Sequence, residues 1–119
     1  MMQWNFLAPI GYLNVRYNGK ANIILDSVRA PAVKALFEIY ATGEFSIQDL
    51  MILADSWHLF PKRHYSISKR CVNNLLKNPF YYGYMRIKGD LFPHNYPKLI
   101  DKDLFDTVQR TLLSKRFRV

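Results

Sequence analysis

Lys69, Arg70, Asn73, Asn74 and Lys77 are side chains of the kinds that hydrogen-bond nucleobases and neutralise phosphates. Arginine and lysine match the acceptor pair of guanine, asparagine amides match adenine, and any of these cations can hold a phosphate oxygen. Set out at about 100° per residue, the five fall on one side of a helix. Cys71, Val72, Leu75 and Leu76 fall on the other side, and no acid interrupts the polar one. A solvated surface helix with ordinary lysines would show the same pattern, so this stretch alone leaves both readings open.

Other reactive residue types are scattered. His58, His64 and His94 lack the i, i+4 spacing of a helical zinc pair and have no carboxylates close in sequence, so they are expected to be exposed loop histidines. One cysteine excludes an internal disulfide and a cysteine-based zinc site, and Cys71 is expected to act as a small buried hydrophobe. There is no G-x-S-x-G, no phosphate loop and no paired-carboxylate motif. Nothing here argues for catalysis by this chain alone, and no metal or cofactor is expected.

The elements that must position the polar face can be read in turn. The face sits on a short helix from Ser68 to Asn78. Ser68 is a good N-cap, Ile67 and Val72 stand at staple positions, and Pro79 forces Asn78 out of the helical region. Upstream, Ser46-Ile47-Gln48-Asp49 resembles a capping box opening a helix to about Trp57, with Ile47, Leu50, Leu53, Ala54 and Trp57 as its stripe. Residues 58–67 read as a loop with Phe60-Pro61 and the basic pair Lys62-Arg63. Helix, loop and basic helix make a helix-turn-helix-like layout, though with a connection longer than usual.

Residues 27–42 predict the core pillar, with Val33, Leu36, Phe37 and Tyr40 on one buried face, Asp26 capping the start and Gly43 just past the end. Residues 12–25 predict a hairpin around Asn18-Gly19. A three-residue loop, Tyr17-Asn18-Gly19, pairs Leu13 with Ile23 and Val15 with Ala21 and separates the faces better than a two-residue turn. After Pro79 the pattern alternates through Tyr82, Tyr84 and Arg86 to a Lys88-Gly89-Asp90 turn, and Leu91 to Asn95 returns. The tyrosines there fit a core aromatic cluster better than a base-stacking platform. Asp101 predicts the cap of a last helix to about Lys115, lined by Leu104, Phe105, Val108 and Leu112. The expected class is α+β, mainly helical, with about four helices and short antiparallel hairpins. At 119 residues the chain is expected to be a single domain over 1–119, with 1–10 and 114–119 as flexible or cut-short ends.

Charge sharpens the picture. The formal charge is +8, and an excess of that size suggests a polyanionic partner. Residues 1–60 hold four basic and five acidic residues, whereas 61–119 hold thirteen basic and four acidic ones. Between Lys62 and Lys88 seven cations occur with no acid. No apolar run approaches the roughly 18 residues of a membrane span, and the start carries no signal-peptide pattern.

The ordered segments resemble a known family. Ala8-Pro9-Ile10-Gly11-Tyr12, Leu36 through Gly43, Ser68 through Leu76-Lys77-Asn78-Pro79-Phe80-Tyr81-Tyr82-Gly83, and Leu99-Ile100-Asp101 with Phe105 and Val108-Gln109 are similar to the "recombinase" domain of large serine recombinases, which include phage-type integrases. Ile67 stands where that family often has an aromatic residue. The resemblance implies a module that binds double-stranded attachment-site DNA. In the family it follows a catalytic domain whose serine attacks a phosphodiester, and often precedes a zinc ribbon and a coiled coil. Neither the catalytic domain nor the ribbon's paired cysteines are present, so the chain is expected to be an excised or truncated part that binds DNA without cutting it. The missing domains would be its partners, in a bacterial or phage-infected cytoplasm at the nucleoid. On this reading Arg70, Asn73, Asn74 and Lys77 approach base edges, and Lys62, Arg63, Lys69, Arg86 and Lys88 hold phosphates. The alternatives are a domain that docks an acidic protein within a recombination complex, and a free-standing helix-turn-helix regulator.

Overall fold

Two aromatic residues that directly follow the polar helix organise the packing. In the computed structural model, which describes residues 8–59 and 68–116, Phe80 is fully buried and Tyr81 nearly so. Around them run β1 (Tyr12–Tyr17), β2 (Lys20–Leu25), α1 (Arg29–Ala41), α2 (Ile47–Ser56), α3 (Lys69–Lys77), a one-turn 3-10 helix (Pro79–Tyr82), β3 (Tyr84–Ile87), β4 (Asp90–Pro93) and α4 (Lys102–Arg116). The α+β architecture, with four helices and two separate antiparallel ribbons among the described residues, is the expected one. The last helix, expected to run to about Lys115, ends at Arg116.

The helices stand where their capping chemistry puts them. Asp26 Oδ1 accepts the N–H groups of Val28 and Arg29 at 2.9 and 3.1 Å, and Oδ2 pairs with Arg29 Nη1 at 3.2 Å. Those bonds, the Arg29 N–H first, hold the buried Asp26 carboxyl below its ordinary range. Val33, Leu36, Phe37 and Tyr40 are all buried on α1. Their burial stabilises the fold by roughly 6–12 kcal/mol before chain entropy is subtracted. Ser46 and Asp49 complete a reciprocal capping box on α2. The far end of α2 closes with Leu59 N–H on Ala54 O and His58 N–H on Asp55 O, a Schellman arrangement with His58 rather than glycine at positive φ. On the α2 stripe Leu50 and Ala54 are buried, Ile47 and Leu53 half-buried, and Trp57 is at the surface. On α4, Asp101 accepts the Leu104 N–H at 2.8 Å, and Phe105 and Val108 face the core.

The first ribbon departs from the expected register. Tyr17 pairs with Lys20 and Val15 with Asn22, across a two-residue Asn18-Gly19 turn. Both turn residues have positive φ, 49° and 76°, as a type I′ turn requires and Asn-Gly readily supplies. Separation of faces fixes register only where a face is buried. Here only Tyr12 and Ile23 are buried, so the turn decides. The second ribbon repeats the device: Lys88 and Gly89 turn at positive φ, and Asp90, expected in the turn, pairs with Ile87. Tyr82, expected in the strand, ends the one-turn helix instead and packs on Phe105 at 4.5 Å.

The aromatic cluster expected after Pro79 is a core at Phe80 and Tyr81, whereas Tyr82 is half-buried and Tyr84 is exposed. Tyr12 packs edge-on to Phe80 and stacks on Tyr81, which meets Phe37 edge-on. Two phenols tie distant segments together: Tyr12 donates to Pro97 O and Tyr81 to Ile10 O, each at 2.6 Å. Burial pushes both phenols well above their usual range, which keeps them donors.

His94, expected to be an exposed loop residue, belongs to this core. Its ring stacks on Phe80 at 4.1 Å, Nδ1 accepts the Tyr96 N–H at 3.1 Å, and Nε2 donates to Phe80 O at 2.8 Å. An acceptor at Nδ1 fixes the neutral tautomer with the proton on Nε2. His58 is exposed as expected, and His64 lies outside the described residues.

Burial lowers the His94 pKa below its ordinary 6.5, so the unfolded chain takes up its proton first. The stability this ring contributes is complete above pH 6.5 and is lost as acidification passes 6.5 and then the lower folded value. Urea midpoints measured between pH 7 and 5 should therefore fall with acid, and His94→Gln should flatten that fall. An equal slope in the variant would assign the acid sensitivity elsewhere.

Candidate nucleic-acid interface

Polar and apolar faces of α3 part as the sequence predicts. The Ser68 hydroxyl accepts the Cys71 N–H at 3.3 Å and starts the helix. Asn78 is extended (φ −78°, ψ 113°) before Pro79 and ends it. Val72, Leu75 and Leu76 are buried. Cys71, expected to be buried, is only half so, and its sulfur lies 3.3 Å from the Ser68 hydroxyl. That hydroxyl, and more weakly the Arg70 charge, holds the thiol below its ordinary pKa. The Ile67 staple contact lies outside the described residues.

Lys69, Arg70, Asn74 and Lys77 are exposed. Asn73 is half-buried, on the wall of a cleft of about 530 Å³ that it shares with Lys77 and with Gln109, Leu112, Leu113 and Lys115 of α4. Among the described residues the ion pairs are Arg29 with Asp26 and Lys102 with Asp106. Neither involves α3, so its cations have no competing carboxylate.

The remaining expected contacts are placed differently. Arg86 lies on the exposed face of the second ribbon with Tyr84 and Leu91, and Lys88 lies in its turn. That ribbon packs on the one-turn helix through β3, whereas α3 packs on α2 and α4. Lys62 and Arg63, and with them the connection of the helix-turn-helix-like pair, lie outside the described residues. The structure thus unites four of the nine expected contact residues fully on α3, Asn73 in part, and sets Arg86 and Lys88 on another element.

Two residues gave no sequence signal for a part in this surface. Gln109 Nε2 donates to Leu76 O at 2.8 Å and satisfies a carbonyl that the last turn of α3 leaves open. Lys115 donates to Phe45 O and lies 4.9 Å over the Tyr40 ring, on the far wall of the cleft. Both act across about thirty or more positions of sequence, beyond the reach of helical periodicity. Among the described residues no group of side chains could hold a metal ion, and no helix is long and apolar enough to cross a membrane.

A family model described as "Recombinase" matches residues 27–115. The fold is similar to that of a crystal structure of an LSR–DNA complex, with a TM-score of 0.68 at 18% identity over 91% of this chain and 31% of that one. It is also similar to a structure from work on the sequence requirements of the Listeria innocua prophage attP site, with a TM-score of 0.66 at 19% identity over 87% of this chain and 41% of that one. The chain thus spans less than half the length of either. No curated protein matches the sequence.

The two faces of α3 should respond oppositely to truncation. Leu76→Ala, at a fully buried site, is expected to cost about 2–5 kcal/mol. Arg70→Ala and Lys77→Ala should each shift stability by less than about 0.5 kcal/mol. Urea unfolding of the three variants checks this, and a large loss in either cation variant would mean that the cation serves the fold.

Proposed function

Because the chain belongs to the Recombinase family, we propose that it is the double-stranded DNA-binding domain of a site-specific serine recombinase. The observation that carries this reading is the exposed, carboxylate-free cation face of α3, anchored by a buried reverse side. A major groove of about 12 Å admits an α-helix. With α3 in that groove, Arg70, Asn74 and Lys77 approach base edges, and Asn73 reaches them from the wall of the cleft. Lys69, Arg86 and Lys88, with Lys62 and Arg63, hold phosphates. Strand cleavage and rejoining belong to other domains of the parent protein, which works at an attachment-type site in a bacterial or phage-infected cytoplasm.

A second reading is docking onto an acidic protein surface. What favours it is the cleft beside Asn73, which Lys77 and Lys115 line together with Leu112 and the 54% exposed Leu113. A gel shift against random duplex at low salt separates the two, since a docking module would leave duplex unshifted at micromolar protein.

If about five phosphates are neutralised, log K should fall against log salt with a slope of roughly −4 to −5. A flat response would remove DNA as the partner. Arg70→Ala should weaken cognate binding by about 1–3 kcal/mol and random duplex by less. Equal losses on both would reassign Arg70 to a phosphate.

A further inference from the structure

The acids of the N-terminal half all lie at or beyond Asp26. From Met1 to Leu25 there is none, while Arg16 and Lys20 flank the turn of the first ribbon. The near-neutral balance of residues 1–60 conceals this, because Asp26, Glu38, Glu44, Asp49 and Asp55 all fall in the helical part.

The ribbon is tethered at one end. Tyr12 and Ile23, toward its base, are 5% and 2% exposed, whereas every residue from Arg16 to Asn22 is exposed. Strands of six residues extend about 20 Å, and two of them make a ribbon narrow enough for a DNA groove. At the tip, Arg16 Nη1 donates to Gly19 O at 3.2 Å, which folds the guanidinium over the turn and leaves its other N–H groups for a ligand. Among the described residues no ion pair engages Arg16 or Lys20. Asn18 and Asn22 add exposed amides, which also bond phosphate oxygens. The tip is therefore rich in donors, bears two cations and lacks a carboxylate. This is the chemistry of a contact to the phosphodiester backbone.

We propose that the tip of the first ribbon, through Arg16 and Lys20, is a second contact to double-stranded DNA that grips backbone phosphates independently of α3. It rests on the reading of the chain as a DNA-binding domain. The ribbon adds affinity without sequence preference, because phosphates are alike along the duplex.

The test is fluorescence anisotropy of a labelled duplex across a salt series, comparing the wild type with Arg16→Ala/Lys20→Ala. Loss of two phosphate contacts should make the log–log salt slope shallower by roughly 2, with the same fold-loss on cognate and random duplex. Arg16→Lys/Lys20→Arg should keep the wild-type slope. An unchanged slope in an alanine variant whose far-UV spectrum and unfolding midpoint match the wild type overturns the ribbon contact and leaves α3 as the reader. A wild type with no salt dependence overturns both. A loss confined to cognate duplex would place the two residues at bases and equally overturn the phosphate assignment.

Discussion

The structure depends on the dive the chain makes into the core as soon as α3 ends. Pro79 holds Asn78 extended, Asn78 Oδ1 accepts the Phe80 N–H at 3.0 Å, and the next two side chains are buried. Each of those aromatic burials contributes roughly 1.5–3 kcal/mol. Both also carry cross-links. Phe80 supplies the stacking surface and carbonyl for His94, and Tyr81 binds Ile10 through its hydroxyl. The Tyr81 carbonyl accepts the N–H groups of Leu99 and Ile100. With its exit fixed in this way and Val72, Leu75 and Leu76 buried behind it, α3 has one orientation, which points its cations outward.

Leaving those cations unpaired costs the fold little. Exposed ion pairs contribute only about 0–1 kcal/mol, so a surface without them loses little stability. What such a surface gains is a positive field that salt screens but no neighbouring carboxylate cancels. Four of the nine acids have partners elsewhere: Asp26 and Asp49 bond backbone N–H groups at the starts of α1 and α2, Asp101 does so before α4, and Asp106 pairs with Lys102. Lys69, Arg70 and Lys77 thus stand exposed on α3, where an anion can reach them.

The departures from expectation share a cause. Sorting of faces predicts a three-residue loop for the first ribbon, but a ribbon buried only at Tyr12 and Ile23 exerts little pressure to sort them, and the Asn-Gly turn prevails. His94 has no helical or strand pattern around it. Its burial comes from Phe80 and Tyr96 closing on its ring, which no local spacing announces. Asn73 lies inside the polar arc of a helical wheel, between Lys69 and Lys77, and it is half-buried because α4 approaches on that side.

What the sequence determined by itself were features whose physics is local. The caps at Ser46, Ser68 and Asp101, the stop at Asn78-Pro79 and the two-sided character of α3 all depend on residues within a few positions of one another. Tertiary structure alone decided which polar residues stand free and which are enlisted by a neighbour. Gln109 closes the Leu76 carbonyl, Lys115 is drawn over Tyr40, and His94 is neutral and enclosed. It also decided that the ribbon carrying Arg86 and Lys88 packs on the one-turn helix, while α3 packs on α2 and α4. Those outcomes follow from contacts between segments far apart in the chain, and their geometry exists only once the core around Phe80 and Tyr81 has closed.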